Sequence, residues 1–143
     1  MNKITLIFHQ KVIVLKPDYM KRDIDKDLME WKDSSLRKPL LVRGARQVGK
    51  SYTLTQFCRE NFETVVVVNF DRVPEIHRFF ASDLNPARIL KDLSLYYNLE
   101  VIEGKTILFF DEIQECPRAI MALRYFYEEM PKLHVVGAGS LLE

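Results

Sequence analysis

The stretch KPLLVRGARQVGKSYT, Lys38 to Thr53, limits what this chain can fold into more than any other. A short apolar run, Leu40, Leu41 and Val42, leads into Gly44, and four residues later come Gly49, Lys50 and Ser51. Glycine, any four residues, glycine, lysine, then serine or threonine is the spacing of a phosphate-binding loop. The glycines permit backbone angles that a Cβ would forbid, so that successive N–H groups can turn toward one anion. A helix starting at Lys50 adds its unpaired N–H groups and the positive end of its dipole. Lys50 offers an ammonium to the outer phosphates, and Ser51 a hydroxyl to the accompanying magnesium. The pattern therefore predicts a strand before the loop, a helix after it and a nucleoside triphosphate between them. The residues expected around the phosphates are Gly44, Ala45, Arg46, Gln47, Val48, Gly49, Lys50, Ser51 and Tyr52.

A second stretch, KTILFFDE at Lys105–Glu112, complements the first. Four apolar residues, Ile107 to Phe110, end in the adjacent carboxylates Asp111 and Glu112, as in a buried strand that delivers acids at its carboxyl end. Downstream of a phosphate loop this reads as the metal-holding Walker B element, with Asp111 on magnesium and Glu112 as general base toward an attacking water. Between the two motifs, TVVVVNF at Thr64–Phe70 reads as a strand buried on both faces of a parallel sheet. Asp71 after it reads as a loop aspartate. The last strand is expected at Leu133–Gly137, followed by Gly139 and Ser140; a polar residue there would face the γ-phosphate if this strand lies between the two motif strands.

The intervening segments supply the helices. Met20, Ile24, Leu28 and Trp31 share one face of an amphipathic helix over Tyr19–Trp31, whose charges form a solvated face. Leu54, Phe57, Cys58 and Phe62 make the buried stripe after the loop. A short helical piece is expected in Val73–Asp83, around Ile76, Phe79 and Phe80. Asn85 caps and Pro86 opens a further helix carrying Ile89, Leu90, Leu93, Tyr96 and Tyr97, the tyrosine pair being packing. Pro117 opens the last helix, with Ile120, Leu123, Tyr127 and Met130 inward and Pro131 as its stop. Residues 1–17 hold two β-branched runs, Ile4–Phe8 and Val12–Leu15, that read as two short strands or a hairpin ended by Pro17.

At 143 residues, 48% hydrophobic and 29% charged, the chain has the length and composition of one globular domain. Lys and Arg total 21 against 20 Asp and Glu, a net charge of +1, so overall charge does not indicate nucleic acid. Cys58 and Cys116 have no metal-ligand spacing and read as reduced, packed residues. His9, His77 and His134 form no ligand set, so no metal other than magnesium is expected. No apolar span reaches membrane length, and a cytoplasmic protein with no membrane partner is the expectation.

With both motifs and the polar strand end in place, the chain resembles the AAA-type ATPases predicted in bacteria and archaea. The resemblance rests on RGARQVGKS at Arg43–Ser51, ILFFDEIQECPRAIMALRYFYEE at Ile107–Glu129 and VVGAGSLL at Val135–Leu142, and on KRDIDKDLMEWK before the first core strand. It covers about residues 20–143 and implies an α/β, three-layer P-loop NTPase fold with a mainly parallel sheet. It also implies ATP and Mg2+ as ligands, and the Ser140 strand lying between the two motif strands. Lys50 and Ser51 match the Walker A positions, Asp111 and Glu112 the Walker B pair, and Ser140 the sensor position, which makes Lys50, Glu112 and Ser140 the expected catalytic residues. Gln114 matches a glutamine frequent in the family, with packing or γ-phosphate sensing as its role. Arg43, Arg46 and Arg118 match less informative positions at which solvent exposure is expected, and none stands out as an arginine finger.

The pattern departs from that family in two places. Relatives continue past the sensor strand into a further core strand, a lid and a C-terminal domain, so the core at 20–143 is expected to be truncated, its sheet incomplete on the C-terminal side. Residues 1–19 have no matching counterpart and read as an N-terminal extension. Without an outer neighbour the phosphate-loop strand would be an exposed edge, open to self-association unless Ile4–Phe8 or Val12–Leu15 pairs with it. The reaction expected is Mg-dependent hydrolysis of ATP to ADP and phosphate, slow in a lone core. The alternatives are a non-catalytic nucleotide-binding or interaction module and, with less support, a small P-loop kinase; a protein client is not specified.

Overall fold

The computed structural model describes residues 3–7, 10–15, 21–44 and 49–140. The elements run β1 (Lys3–Ile7), β2 (Gln10–Leu15), α1 (Lys21–Asp33), β3 (Leu40–Gly44), α2 (Lys50–Asn61), β4 (Thr64–Asn69), α3 (Pro86–Tyr97), β5 (Thr106–Asp111), α4 (Pro117–Glu129) and β6 (His134–Ser140). Two 3-10 segments, Pro74–Phe80 and Ile113–Glu115, lie between them. The strands form one sheet in the order β1-β2-β3-β6-β5-β4. Every neighbouring pair is parallel except β1 with β2.

Alternation within the apolar runs creates the three layers. Ile107 and Phe109 of β5 pack on one face, with Leu40 and Val42 of β3 and Val136 and Ala138 of β6, against Leu28 and Trp31 of α1 and Leu54 and Phe57 of α2. Leu108 and Phe110, with Leu41 and Val135, pack on the other face against Leu93 of α3, Leu123 and Phe126 of α4, and Ile76 and Phe80 of the first 3-10 segment. Successive strand residues point to opposite faces, so a continuous apolar run is what a strand covered on both sides requires. Phe70, Phe80, Phe110 and Phe126 meet edge to face, at centroid separations of 5.3 Å for Phe70–Phe80, 5.7 Å for Phe80–Phe110 and 6.1 Å for Phe110–Phe126. This cluster backs β5 immediately beneath its acidic end.

The second N-terminal run takes the outer flank of the phosphate-loop strand. Val12 pairs with Leu41 and Ile13 with Val42, and the Lys11 N–H donates to the Pro39 carbonyl at 2.9 Å. Val12 and Ile13 are buried, one in each core layer. The first run closes an antiparallel hairpin on β2, with Ile4 opposite Ile13. Phe8, Pro17, Tyr19 and Met20, which figured in the readings of these segments, lie outside the described residues.

Three expectations need correction. β4 is the last strand in the sheet order, and only Val66 and Val68, on the face of Leu108 and Phe110, are buried, while Val65 and Val67 on the opposite face are half-covered because that layer covers the outermost strand less completely. Of the residues expected inward on α4, Leu123 is buried while Ile120 and Met130 are only partly buried against the core and Tyr127 is half-exposed; the fully buried stripe adds Ala119, Ala122 and Phe126 to Leu123. β6 continues beyond Gly137 to Ser140, since the phosphate-loop strand beside it pairs out to Gly44. At its other end, Arg37 fixes the start of β6 to α1: its guanidinium donates to the Lys32 and Ser34 carbonyls at the end of that helix and to Lys132.

Candidate active site

Three adjacent strands end side by side. β3 ends at Gly44, which pairs with Ser140 at the end of β6, and β6 lies between β3 and β5, which ends at Asp111. Carboxyl ends of parallel strands are where α/β sheets carry ligands, since the following loops and helix N-termini converge there. α2 begins at that edge. Gly49 holds φ at 78°, a left-handed conformation that favours glycine, and its carbonyl accepts the Thr53 N–H at 3.0 Å. Ala45, Arg46, Gln47 and Val48 lie outside the described residues.

The first turn of α2 meets the end of β5. The Ser51 hydroxyl donates to Asp111 Oδ1 at 2.9 Å, and the same oxygen accepts the Glu112 N–H at 2.9 Å. Burial raises the Asp111 carboxyl above its ordinary range; the Ser51 and Glu112 hydrogen bonds oppose that shift, the Glu112 charge adds to it, and the Lys50 charge opposes it. Lys50 is only 6% exposed, and among the described residues its ammonium forms no ion pair. A positive side chain at the N-terminus of α2 adds to the free N–H groups there, so this position favours an anion. Tyr52, by contrast, is 74% exposed on the outer side of the turn.

Glu112 departs from strand geometry at once. Its φ of 54° is left-handed, unusual for a non-glycine residue, and turns the chain into the Ile113–Glu115 segment. Gln114 then folds back over the strand ends. Its Nε2 donates to Glu112 Oε2 at 2.8 Å, and its Oε1 accepts the Ser140 N–H at 3.2 Å. The segment lies close on β6: a Cβ at Gly139 would stand 2.8 Å from Gln114 Oε1, and one at Gly137 3.0 Å from Ile113 Cδ1. Glycine at these two positions gives the approach its room. The Ser140 Oγ is shielded from solvent and has no hydrogen-bond partner among the described residues.

The expected residues Gly44, Gly49, Lys50, Ser51, Asp111, Glu112 and Ser140 are thus brought to one edge of the sheet by direct contacts or strand register. Asp71 lies in an exposed turn, where its N–H and that of Arg72 donate to Asn69 Oδ1. Arg118 is not the solvated arginine expected; its guanidinium donates to the Phe80 carbonyl and holds the 3-10 segment to α4. Tyr96 and Tyr97 pack edge to face at 4.9 Å, with the Tyr96 hydroxyl donating to Glu75. Among the described residues no three His, Cys, Asp or Glu side chains cluster as a metal site, and no helix is long and apolar enough to cross a membrane. The bridging geometry of Gln114 was not legible in its motif; only the glycines opposite it hinted at a close approach.

The family model for an AAA domain matches residues 36–143, which holds every motif residue of this site. No curated protein and no solved structure matches the chain.

Proposed function

The chain belongs to the AAA domain family, and from that premise we propose that it binds ATP with magnesium and hydrolyses it to ADP and phosphate. The observation that carries this reading is the 2.9 Å hydrogen bond between Ser51 and Asp111, which joins the phosphate loop to the acidic strand end across 60 residues of chain. Lys50, at the first position of α2, binds the outer phosphates of the nucleotide with its ammonium. Gly44 and Gly49 stand at the two ends of the phosphate-loop pattern, and the first turn of α2 adds its free N–H groups toward the triphosphate. Ser140, at the end of the strand between the two motifs, offers to the γ-phosphate a hydroxyl with no partner among the described residues.

Ser51 and Asp111 would hold magnesium. Both present hard oxygen atoms, 2.9 Å apart in a half-buried position, and a magnesium ion takes one or two protein ligands with phosphate oxygens and water completing its shell. When bound, it neutralises charge on the phosphate oxygens. Glu112 lies beside this pair with its carboxylate directed by Gln114. It accepts a proton from water as the water oxygen attacks the γ-phosphorus; the bond from that phosphorus to the β–γ bridging oxygen breaks, and ADP leaves with the electron pair.

Calorimetric titration with ATP, GTP and ADP, paired with a phosphate-release assay, tests the reading. Lys50→Ala should abolish nucleotide binding. Glu112→Gln should bind ATP as the unmodified chain does and lose roughly 10²- to 10⁴-fold in turnover, the scale of general acid–base catalysis. Equal turnover in Glu112→Gln removes Glu112 as the base, and ATP binding with no phosphate release at all identifies a nucleotide-binding module instead.

A further inference from the structure

Glu112 has a fixed backbone and a side chain held at one place. Its N–H is bound by Asp111 and its φ is left-handed, which sets the direction in which the side chain leaves the chain. Beyond Cα the carboxylate could still occupy several rotamers, and among the described residues its hydrogen bond is the one from Gln114. The orientation of the Gln114 amide follows from its partners: an ionised carboxylate only accepts and a backbone N–H only donates, so Nε2 must face Glu112 and Oε1 must face Ser140. One planar amide therefore joins the carboxylate at the end of β5 to the backbone at the end of β6. Gly139 has no side chain to push that amide away.

We propose that Gln114 is a positioning residue that sets the Glu112 carboxylate by reference to the end of β6, so that the place of Ser140 is transmitted to the group that activates water. The inference rests on the reading of Glu112 as general base. It assigns Gln114 a task separate from packing and from direct contact with the γ-phosphate. Ser140 meets the nucleotide with its hydroxyl while its N–H holds Gln114, so a shift of the β6 end on nucleotide binding moves the amide and the carboxylate with it. Misplacing a reacting group by about 1 Å costs on the order of 100-fold in rate, while ground-state binding of the phosphates, which the proposed function assigns to Lys50, Ser51 and Ser140, is unaffected.

The test is steady-state ATP hydrolysis and calorimetric ATP affinity for Gln114→Met and Gln114→Glu, with the unmodified chain and Glu112→Gln alongside. Methionine keeps the length and loses both hydrogen bonds. Glutamate, assayed at pH 8 where the added carboxyl is ionised, still accepts from the Ser140 N–H and cannot donate to Glu112. Both variants should lose about 10- to 100-fold in kcat, with KM and ATP affinity within about twofold of the unmodified chain. Adding Gln114→Met to Glu112→Gln should produce no further loss. Retention of kcat by Gln114→Glu, a loss that falls on KM and affinity, a gain in turnover, or additive losses in the double variant would each overturn the proposal. If Glu112→Gln turns over as fast as the unmodified chain, the general base itself is misassigned, and that result is read before any Gln114 variant is considered. Thermal melts of both variants separate misfolding from mispositioning, and Gln114→Glu remains decisive where Gln114→Met does not fold.

Discussion

Acidification should destabilise this protein through His134, and the size of the effect can be worked out. His134 opens β6, is 6% exposed, and lies edge-on to the rings of Trp31 and Phe62 at centroid separations of 5.7 and 4.9 Å. Its Nε2 donates to the Lys32 carbonyl at 3.1 Å, which leaves Nδ1 buried with no partner among the described residues. Burial is the main cause that lowers its pKa from 6.5 to about 4; the Lys32 carbonyl opposes the shift, while the nearby Arg37 and Lys32 charges add to it. The folded chain therefore keeps the ring neutral where the unfolded chain protonates it. The unfolded state binds more protons between pH 6.5 and 4, so the contribution of the neutral ring is complete above pH 6.5 and is lost as pH falls through that interval. Linkage gives a loss of about 2 kcal/mol between pH 7 and 5, and about 3 kcal/mol by pH 4. Urea unfolding of the unmodified chain and of His134→Phe at both pH values isolates the term, because other carboxyl groups titrate alike in the two proteins. The unmodified chain should lose about 2 kcal/mol more than the variant from pH 7 to 5. Parallel losses in the two proteins would refute the reasoning.

Other expectations follow from burial. Phe110→Ala, in the aromatic cluster under the Asp111 end of β5, should cost about 3–5 kcal/mol in urea unfolding. Ile13→Ala should cost about 2–5 kcal/mol, since Ile13 is fully buried in the same layer as Leu40 and Val42, whereas Leu36→Ala, at an 86% exposed position, should stay within about 0.5 kcal/mol. Equal effects of these two substitutions would show that β2 is not part of the core. The Cys58 thiol, pushed up to about 12 by burial, should resist an exchange reagent such as Ellman's in the native protein and react only on unfolding.

Much of the site was legible because its signals are local. The phosphate loop needs a glycine pattern, a preceding apolar run and a following helix, all within Leu40 to Asn61, and each requirement acts between near neighbours. The acidic strand end is equally local: Ile107 to Phe110 bury themselves, and Asp111 and Glu112 come next. Helix starts at Asn85 and Pro117 were readable for the same reason, the Asn85 side chain accepting the Ala87 and Arg88 N–H groups in the structure.

Where the runs lie relative to one another was a weaker signal. That Val65 and Val67 are only half-covered, or that α4 buries its alanines, depends on what occupies the neighbouring space. A β-branched run has the same composition at an edge and at a centre. Helical periodicity likewise gives an apolar stripe to within a residue or two, and the closest approach of the neighbouring element selects which residues fill it.

By itself the sequence determined an α/β chain with a phosphate loop, an acidic strand end and the strands and helices between them. The sheet order places β6 between the motif strands, as the resemblance implied, while tertiary structure decided that the second N-terminal run covers the flank of β3 and that Ser51 reaches Asp111. It also decided that Gln114 spans from Glu112 to Ser140, where residue type alone left packing and phosphate sensing open. The physical reason is range. Backbone propensity, capping and loop conformation act within a few residues, while Ser51 and Asp111 are 60 residues apart and Gln114 and Ser140 are 26 apart; such partners meet only when a packed sheet sets the strand order and register that carries them.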